Sequence, residues 1–210
     1  GKGLYPNPEN LTVEKIDELK GNAVKAYENI KYVTDLAEAV KDADLVIEAM
    51  AENPQAKIEF YEKLAGVLPE KTVIATNSSS MLPSAFAQYT GRPEKYLALH
   101  FANNIWRGNT AEVMGHAGTE QKYYDAVAEF AGQIQMVPLL MKKEQPGYIL
   151  NSMLIPFLRS AETLLAREVA DPQTIDLTWK IGTGAPKGPF EILDIVGLTT
   201  AYHIIMNNPD

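Results

Sequence analysis

Leu45-Val46-Ile47-Glu48-Ala49-Met50, a segment from Pro54 to Val67, and Thr72-Val73-Ile74-Ala75-Thr76 follow one another with little between them. The outer two are apolar runs of strand length, the pattern of strands buried on both faces. The middle segment sets Ile58, Tyr61, Leu64 and Ala65 along one side at helical spacing. A strand, a helix and a strand in that order build a parallel sheet. Toward the N-terminus, residues 12–29 fit a helix with Thr12 as N-cap and Ile16, Leu19, Ala23 and Tyr27 as its apolar stripe. A short strand is predicted at Ile30-Lys31-Tyr32-Val33, and Thr34 or Asp35 caps a helix reaching about Lys41. Toward the C-terminus come helix 82–88, strands 96–101 and 110–115, helix 119–131 and strand 134–140, the later strands being open to antiparallel pairing.

After Lys142-Lys143-Glu144-Gln145-Pro146-Gly147 the pattern changes, and no further strand is predicted. Residues 148–168 read as one helix roughly 30 Å long, with Pro156 as a candidate kink. Asp171-Pro172 is a strong helix start, cap followed by proline. The chain then runs through Gly182-Thr183-Gly184-Ala185-Pro186-Lys187-Gly188-Pro189 into helices expected to end near Asn207. The fold class is therefore α/β followed by an all-α C-terminal domain, with the boundary at about residue 144.

The 210 residues, 46% hydrophobic, suffice for one large or two small cores. A net charge of −8 argues against nucleic acid or an anionic membrane as the main partner, while leaving room for an anionic small ligand met by local cations. The absence of cysteine excludes disulfides, thiolate catalysis and cysteine-based zinc sites. No apolar stretch approaches the ~20 residues of a membrane-spanning helix. Gly1-Lys2-Gly3-Leu4-Tyr5-Pro6 lacks the apolar core of a signal peptide, so a soluble, cytoplasmic protein is expected.

Four polar residues lie where strands or helices begin or end: Ser79, His100, Glu112 and Asn151. Strand ends in α/β proteins are where ligand-binding groups project. A carboxylate beside an imidazole fixes its tautomer, orients it and favours its cation, so His100 with Glu112 reads as a general base and its orienting partner. The same residues also fit a structural histidine with an exposed glutamate nearby in sequence. Ser79 and Asn151 are placed to hydrogen-bond a ligand oxygen near His100, or equally to make a turn or a helix cap. A Ser79–His100–Glu112 hydrolase triad is a further chemical option, weakened because Thr76-Asn77-Ser78-Ser79-Ser80-Met81 has no glycine for a strained elbow. Gly182-Thr183-Gly184 follows no strand, so it reads as an interhelical turn and not as a phosphate loop. His116 with His100 and Glu112 lacks the spacing of a metal site, and no metal is predicted.

These residues carry a likeness. Asp44-Leu45-Val46-Ile47-Glu48-Ala49, Glu52-Asn53 with Lys57, Asn77-Ser78-Ser79-Ser80, Leu99-His100-Phe101, Glu112-Val113, Pro146-Gly147-Tyr148-Ile149-Leu150-Asn151, and Gly184 through Asp194 with Gly197-Leu198 stand in the order found in 3-hydroxyacyl-CoA dehydrogenases. The chain resembles that family, including its 3-hydroxybutyryl-CoA dehydrogenases. The resemblance implies a Rossmann-like NAD-binding domain over residues 1–144, with the first βαβ unit missing, and a truncated helical substrate and dimerisation domain over 145–210. It implies NAD-dependent oxidation of (S)-3-hydroxyacyl-CoA to 3-oxoacyl-CoA, or the reverse, with an acyl-CoA substrate and a homodimer. His100 takes the hydroxyl proton, Glu112 steadies the imidazolium, and Ser79 and Asn151 hold the reacting oxygen. Glu52, Lys57 and Ser79 match cofactor-contacting positions. The family's H-F-F-N-P becomes His100-Phe101-Ala102-Asn103-Asn104 here, so the loop near the substrate is expected to differ. The family's G-x-G-x-x-G turn lies before the point where this chain starts, and a fragment with weak NAD binding and little activity is the resulting expectation. Two other readings accompany this one: a dehydrogenase of a free hydroxy or sugar acid, of the L-gulonate dehydrogenase type, and a non-catalytic acyl-CoA-binding or dimerisation module.

Overall fold

The computed structural model describes residues 11–197. The chain divides into two compact units, Gly1–Tyr148 and Ile149–Asp210.

The first unit is built on a five-stranded sheet in the order β1-β2-β3-β4-β5: β1 Leu45–Glu48, β2 Val73–Thr76, β3 Tyr96–Phe101, β4 Thr110–Met114 and β5 Val137–Leu140. Pairs β1/β2, β2/β3 and β4/β5 are parallel, and β3/β4 is antiparallel, so the option left open for the later strands resolves at that one junction. Helices α2 Leu36–Val40, α3 Pro54–Ala65 and α4 Gln121–Gln133 accompany the sheet, whereas α1 Val13–Asn29 buries no residue, so its expected apolar stripe covers no core among the described residues. Their starts follow the expected chemistry: Thr12, Asp35 and Asn53 accept from the backbone N–H three residues on.

Strand alternation sorts the core. Val73, Ala75, Leu97, Leu99, Ala111 and Val113 face α4, where Val127 and Ala131 cover them. Ile74 and Tyr96 face the other way, against Val40, Tyr61, Leu64 and Phe86. Three expectations change. Ile30–Val33 is exposed and belongs to no strand, because extended backbone without a ladder partner leaves its polar groups to water. The helix expected at 82–88 is two 3₁₀ turns, Pro83–Ala85 and Ala87–Thr90, with Gly91 left-handed beyond them (φ 68°). Strand β1 pairs only with β2 among the described residues, and Ile47 is exposed, so the run is not buried on both faces.

The second unit contains α5, which starts at the end of the first (Tyr148–Ala166), α6 Pro172–Thr183 and α7 Pro189–Val196. Pro156 lies within α5. Asp171 caps α6 through the Thr174 N–H. Gly184 ends α6 in the left-handed region (φ 73°), so the glycine-rich segment is the interhelical turn its context implied. The buried Asp176 carboxylate of α6 accepts from the Phe190 and Glu191 N–H groups and caps α7 from a neighbouring helix. Gly188 is required there, because a Cβ would sit 2.4 Å from Asp176 Cγ. The expected helix end near Asn207 lies outside the described residues.

Candidate active site

His100 and Glu112 are direct partners in the antiparallel β3/β4 register. Residues opposite one another share a face, and the two side chains meet: His100 Nδ1 is 3.1 Å from Glu112 Oε2. Both are buried, at 5% and 3% exposure. A carboxylate has no proton to donate, so Nδ1 carries the hydrogen and Nε2 presents its lone pair. Nε2 lies 3.1 Å from Ser79 Oγ, whose residue is exposed. The result is an imidazole held on one side by a buried carboxylate and open on the other to a hydroxyl at the protein surface.

Ser79 owes its place to the loop that closes β2. Asn77 donates its N–H to Glu48 O and accepts the Phe101 N–H on its side-chain oxygen, so it bridges the ends of β1 and β3. The Ser78 N–H bonds Thr76 Oγ1. Glu52 then organises the loop: its carboxylate accepts from Ser78 Oγ (2.8 Å), Ser79 N–H (3.2 Å) and Ser80 Oγ (2.9 Å). Glu52 is itself exposed, and so keeps a solvent-facing edge for a ligand.

Lys57 departs from its expected role. Its side chain is fully buried, with Nζ 2.7 Å from Glu48 Oε1. It neutralises a buried carboxylate and does not project toward an anionic ligand. Glu48 also accepts from Tyr61 Oη (2.7 Å), Thr76 Oγ1 (2.8 Å) and the Met50 N–H. Burial alone would raise its carboxyl, but the donors Lys57, Tyr61, Met50 and Thr76 outweigh burial and hold it below the usual carboxylate range. Tyr96 donates to Tyr61. Burial first, and then the neighbouring Tyr96 and Glu48, push the Tyr61 hydroxyl far up, so it remains a donor.

Asn151 is half-buried in α5, in the second unit. His116 lies past the end of β4; its ring contacts Pro93 O and accepts the Gly118 N–H. Two further residues belong to this frame: Glu48, whose signal in the sequence is a charge inside an apolar run, and Tyr148, the aromatic directly after Pro146-Gly147, whose ring stacks on His100 with centroids 4.3 Å apart.

The donor set fits the reacting end of a nicotinamide cofactor in part. Exposed Ser79 and Glu52 lie beside His100 at the carboxyl ends of parallel strands, the place where α/β sheets bind such groups. Lys57, turned inward, does not fit a phosphate contact. No helix among the described residues is long and apolar enough to cross a membrane.

The family model described as 3-hydroxyacyl-CoA dehydrogenase, NAD binding domain, matches residues 9–145, and the one for the C-terminal domain of the same family matches 147–208. The mitochondrial hydroxyacyl-coenzyme A dehydrogenase of Homo sapiens is 36% identical over 181 residues, covering 86% of this chain and 57% of that protein. The 3-hydroxybutyryl-CoA dehydrogenase of Clostridioides difficile is 32% identical over 199 residues, covering 94% and 70%. Among solved structures, a diketoreductase described as acting on dicarbonyl compounds is 50% identical with a TM-score of 0.82, covering 93% of this chain and 76% of its own. The (S)-3-hydroxybutyryl-CoA dehydrogenase of Ralstonia eutropha gives 28% and 0.84, covering 92% and 70%. The chain thus spans 57% of the length of the mitochondrial relative.

Proposed function

We propose, from the premise that this chain belongs to the 3-hydroxyacyl-CoA dehydrogenase family, that it serves the NAD-linked interconversion of an (S)-3-hydroxyacyl-CoA and its 3-oxoacyl-CoA. The observation that carries this reading is His100 set between Glu112 and the exposed Ser79. In the oxidative direction Nε2 of His100 takes the hydroxyl proton while the substrate carbon gives up its hydride and becomes a carbonyl. NAD, when bound, supplies the acceptor for that hydride. Glu112 keeps the Nδ1–H tautomer and stabilises the imidazolium that forms. Ser79 donates to the substrate oxygen, and Asn151 is assigned the same task. Glu52 belongs to the cofactor side through its hold on the serine loop. The likeness to mitochondrial and bacterial acyl-CoA enzymes supports the thioester substrate, and a homodimer is the expected assembly.

Substituting His100→Ala in the natural protein tests the mechanism. Turnover with acetoacetyl-CoA and NADH is expected to fall by about 10²–10⁴-fold. A loss below about tenfold would rule out general-base catalysis by His100.

A second substrate reading has one support: the diketoreductase is more similar in sequence than the Ralstonia eutropha enzyme. On this reading the same His100 machinery serves a dicarbonyl or hydroxy acid without CoA. Rates with acetoacetyl-CoA and with a free diketone, measured side by side on the natural protein, separate the two.

A further inference from the structure

We propose that Tyr148 is the positioning residue of the His100–Ser79 pair: one rigid phenol holds the imidazole plane by stacking and ties down the backbone of the serine loop with its hydroxyl. The importance of the pair rests on the reading of His100 as general base, but the placement does not.

Two consecutive left-handed residues, Gly147 (φ 76°) and Tyr148 (φ 56°), precede the body of α5. The conformation is natural for glycine and uncommon for tyrosine. An observed outlier of this kind argues for a role in holding a site. Its effect is to drive the ring inward, to 1% exposure, against Ala98 and Met114 with Leu82 and Met141 alongside. Ala98 and His100 share one face of β3, so the ring that packs on the first also reaches the second. There it lies 4.3 Å from the His100 ring at an interplanar angle of 19°. An aromatic face at that distance restricts rotation of the imidazole about its side-chain bonds.

The hydroxyl makes the second contact, donating to Ser78 O at 2.6 Å. Burial first, and then the fields of Tyr96, Glu52, Glu112 and Glu48, push this hydroxyl well above the usual tyrosine range, so its proton is always present. Ser78 is the residue before Ser79. Both partners of the Nε2···Oγ contact are therefore fixed to the same ring. A buried aromatic is most often only a core filler, yet a filler needs no hydroxyl. Phenylalanine would keep the packing and lose the tie.

The test uses the 210-residue chain uniformly labelled with nitrogen-15 and carbon-13, read by NMR at both the His100 ring and the backbone amides. Tyr148→Phe is expected to leave the His100 ring signals in place. It should speed amide exchange at Ser78 and Ser79 by about tenfold, the worth of one buried hydrogen bond. Both amides are bonded in the native loop, to Thr76 and Glu52, so their exchange reports the loop. Tyr148→Leu is expected to move the His100 ring protons by removing the ring current above them. The inference is overturned if Tyr148→Leu leaves those signals unchanged. It is equally overturned if Tyr148→Phe leaves exchange at 78–79 unchanged, or speeds it no more than along β2 and β3. The phenylalanine arm decides on its own where the leucine variant does not fold. A natural protein inert toward acetoacetyl-CoA and NADH would remove the proposed reaction and leave both NMR outcomes readable.

Discussion

Replacing Glu112 with glutamine isolates the charge at the centre of the proposed mechanism. The amide has the shape of the carboxylate and can still accept from His100 Nδ1, 3.1 Å away in the parent. What disappears is the negative charge beside an imidazole that becomes cationic during proton transfer. Unit charges about 4 Å apart attract by about 4 kcal/mol at the effective dielectric of ~20 that describes protein sites. If about half of the proton has moved in the transition state, about 2 kcal/mol is lost, roughly thirtyfold in rate. A second effect adds to this. The glutamine can turn its NH₂ toward Nδ1, which moves the hydrogen to Nε2 and removes the lone pair that must receive the substrate proton. The expected fall in kcat/KM for Glu112→Gln is therefore between about 30-fold and 10³-fold. The assay is kcat/KM against pH on the natural protein, beside the His100 tautomer read from its ring nitrogens by NMR. A loss below about threefold with the parent tautomer retained would refute the role given to Glu112.

Two predictions concern the frame behind the site. Glu48→Gln leaves the buried Lys57 ammonium without its counter-charge, and should destabilise the first unit by about 3–5 kcal/mol in urea titration; adding Lys57→Met should recover most of that, and no recovery would contradict the pairing. Because the Glu48 carboxyl lies below its ordinary value of 4.5 when folded, its contribution is complete above that value and lost as pH falls through the lower folded one. The gap between parent and Glu48→Gln should thus close in acid, and a gap constant down to the folded pKa would argue against the assignment. Gly188→Ala forces a Cβ to within 2.4 Å of Asp176 Cγ, and should lower the thermal midpoint with a loss of about 1–3 kcal/mol; an unchanged midpoint would mean α6 and α7 can separate at no cost.

Most element types and much of the chemistry are legible in the residues alone, the exceptions being the strand expected at 30–33 and the helix expected at 82–88. Apolar runs of strand length at residues 45–50, 72–76 and 96–101 admit few other readings, and Thr12, Asp35 and Asp171 cap helices because short polar side chains reach the free N–H groups at a helix start. The twelve-residue step from His100 to Glu112 was compatible with adjacent strands, and the family likeness named both. Periodicity, however, is local, and three decisions were not. Whether His100 faces Glu112 depends on the antiparallel register of β3 and β4, which a one-residue slip would have destroyed. Whether Lys57 meets a ligand or a buried carboxylate depends on Glu48, nine residues back on β1, and on the low dielectric that makes an unpaired charge there untenable. The ring over His100 comes from Tyr148, forty-eight positions away, at a backbone conformation no propensity favours. Composition and spacing set which groups were available; only the sheet register and the turn at Gly147-Tyr148 decided which of them touch.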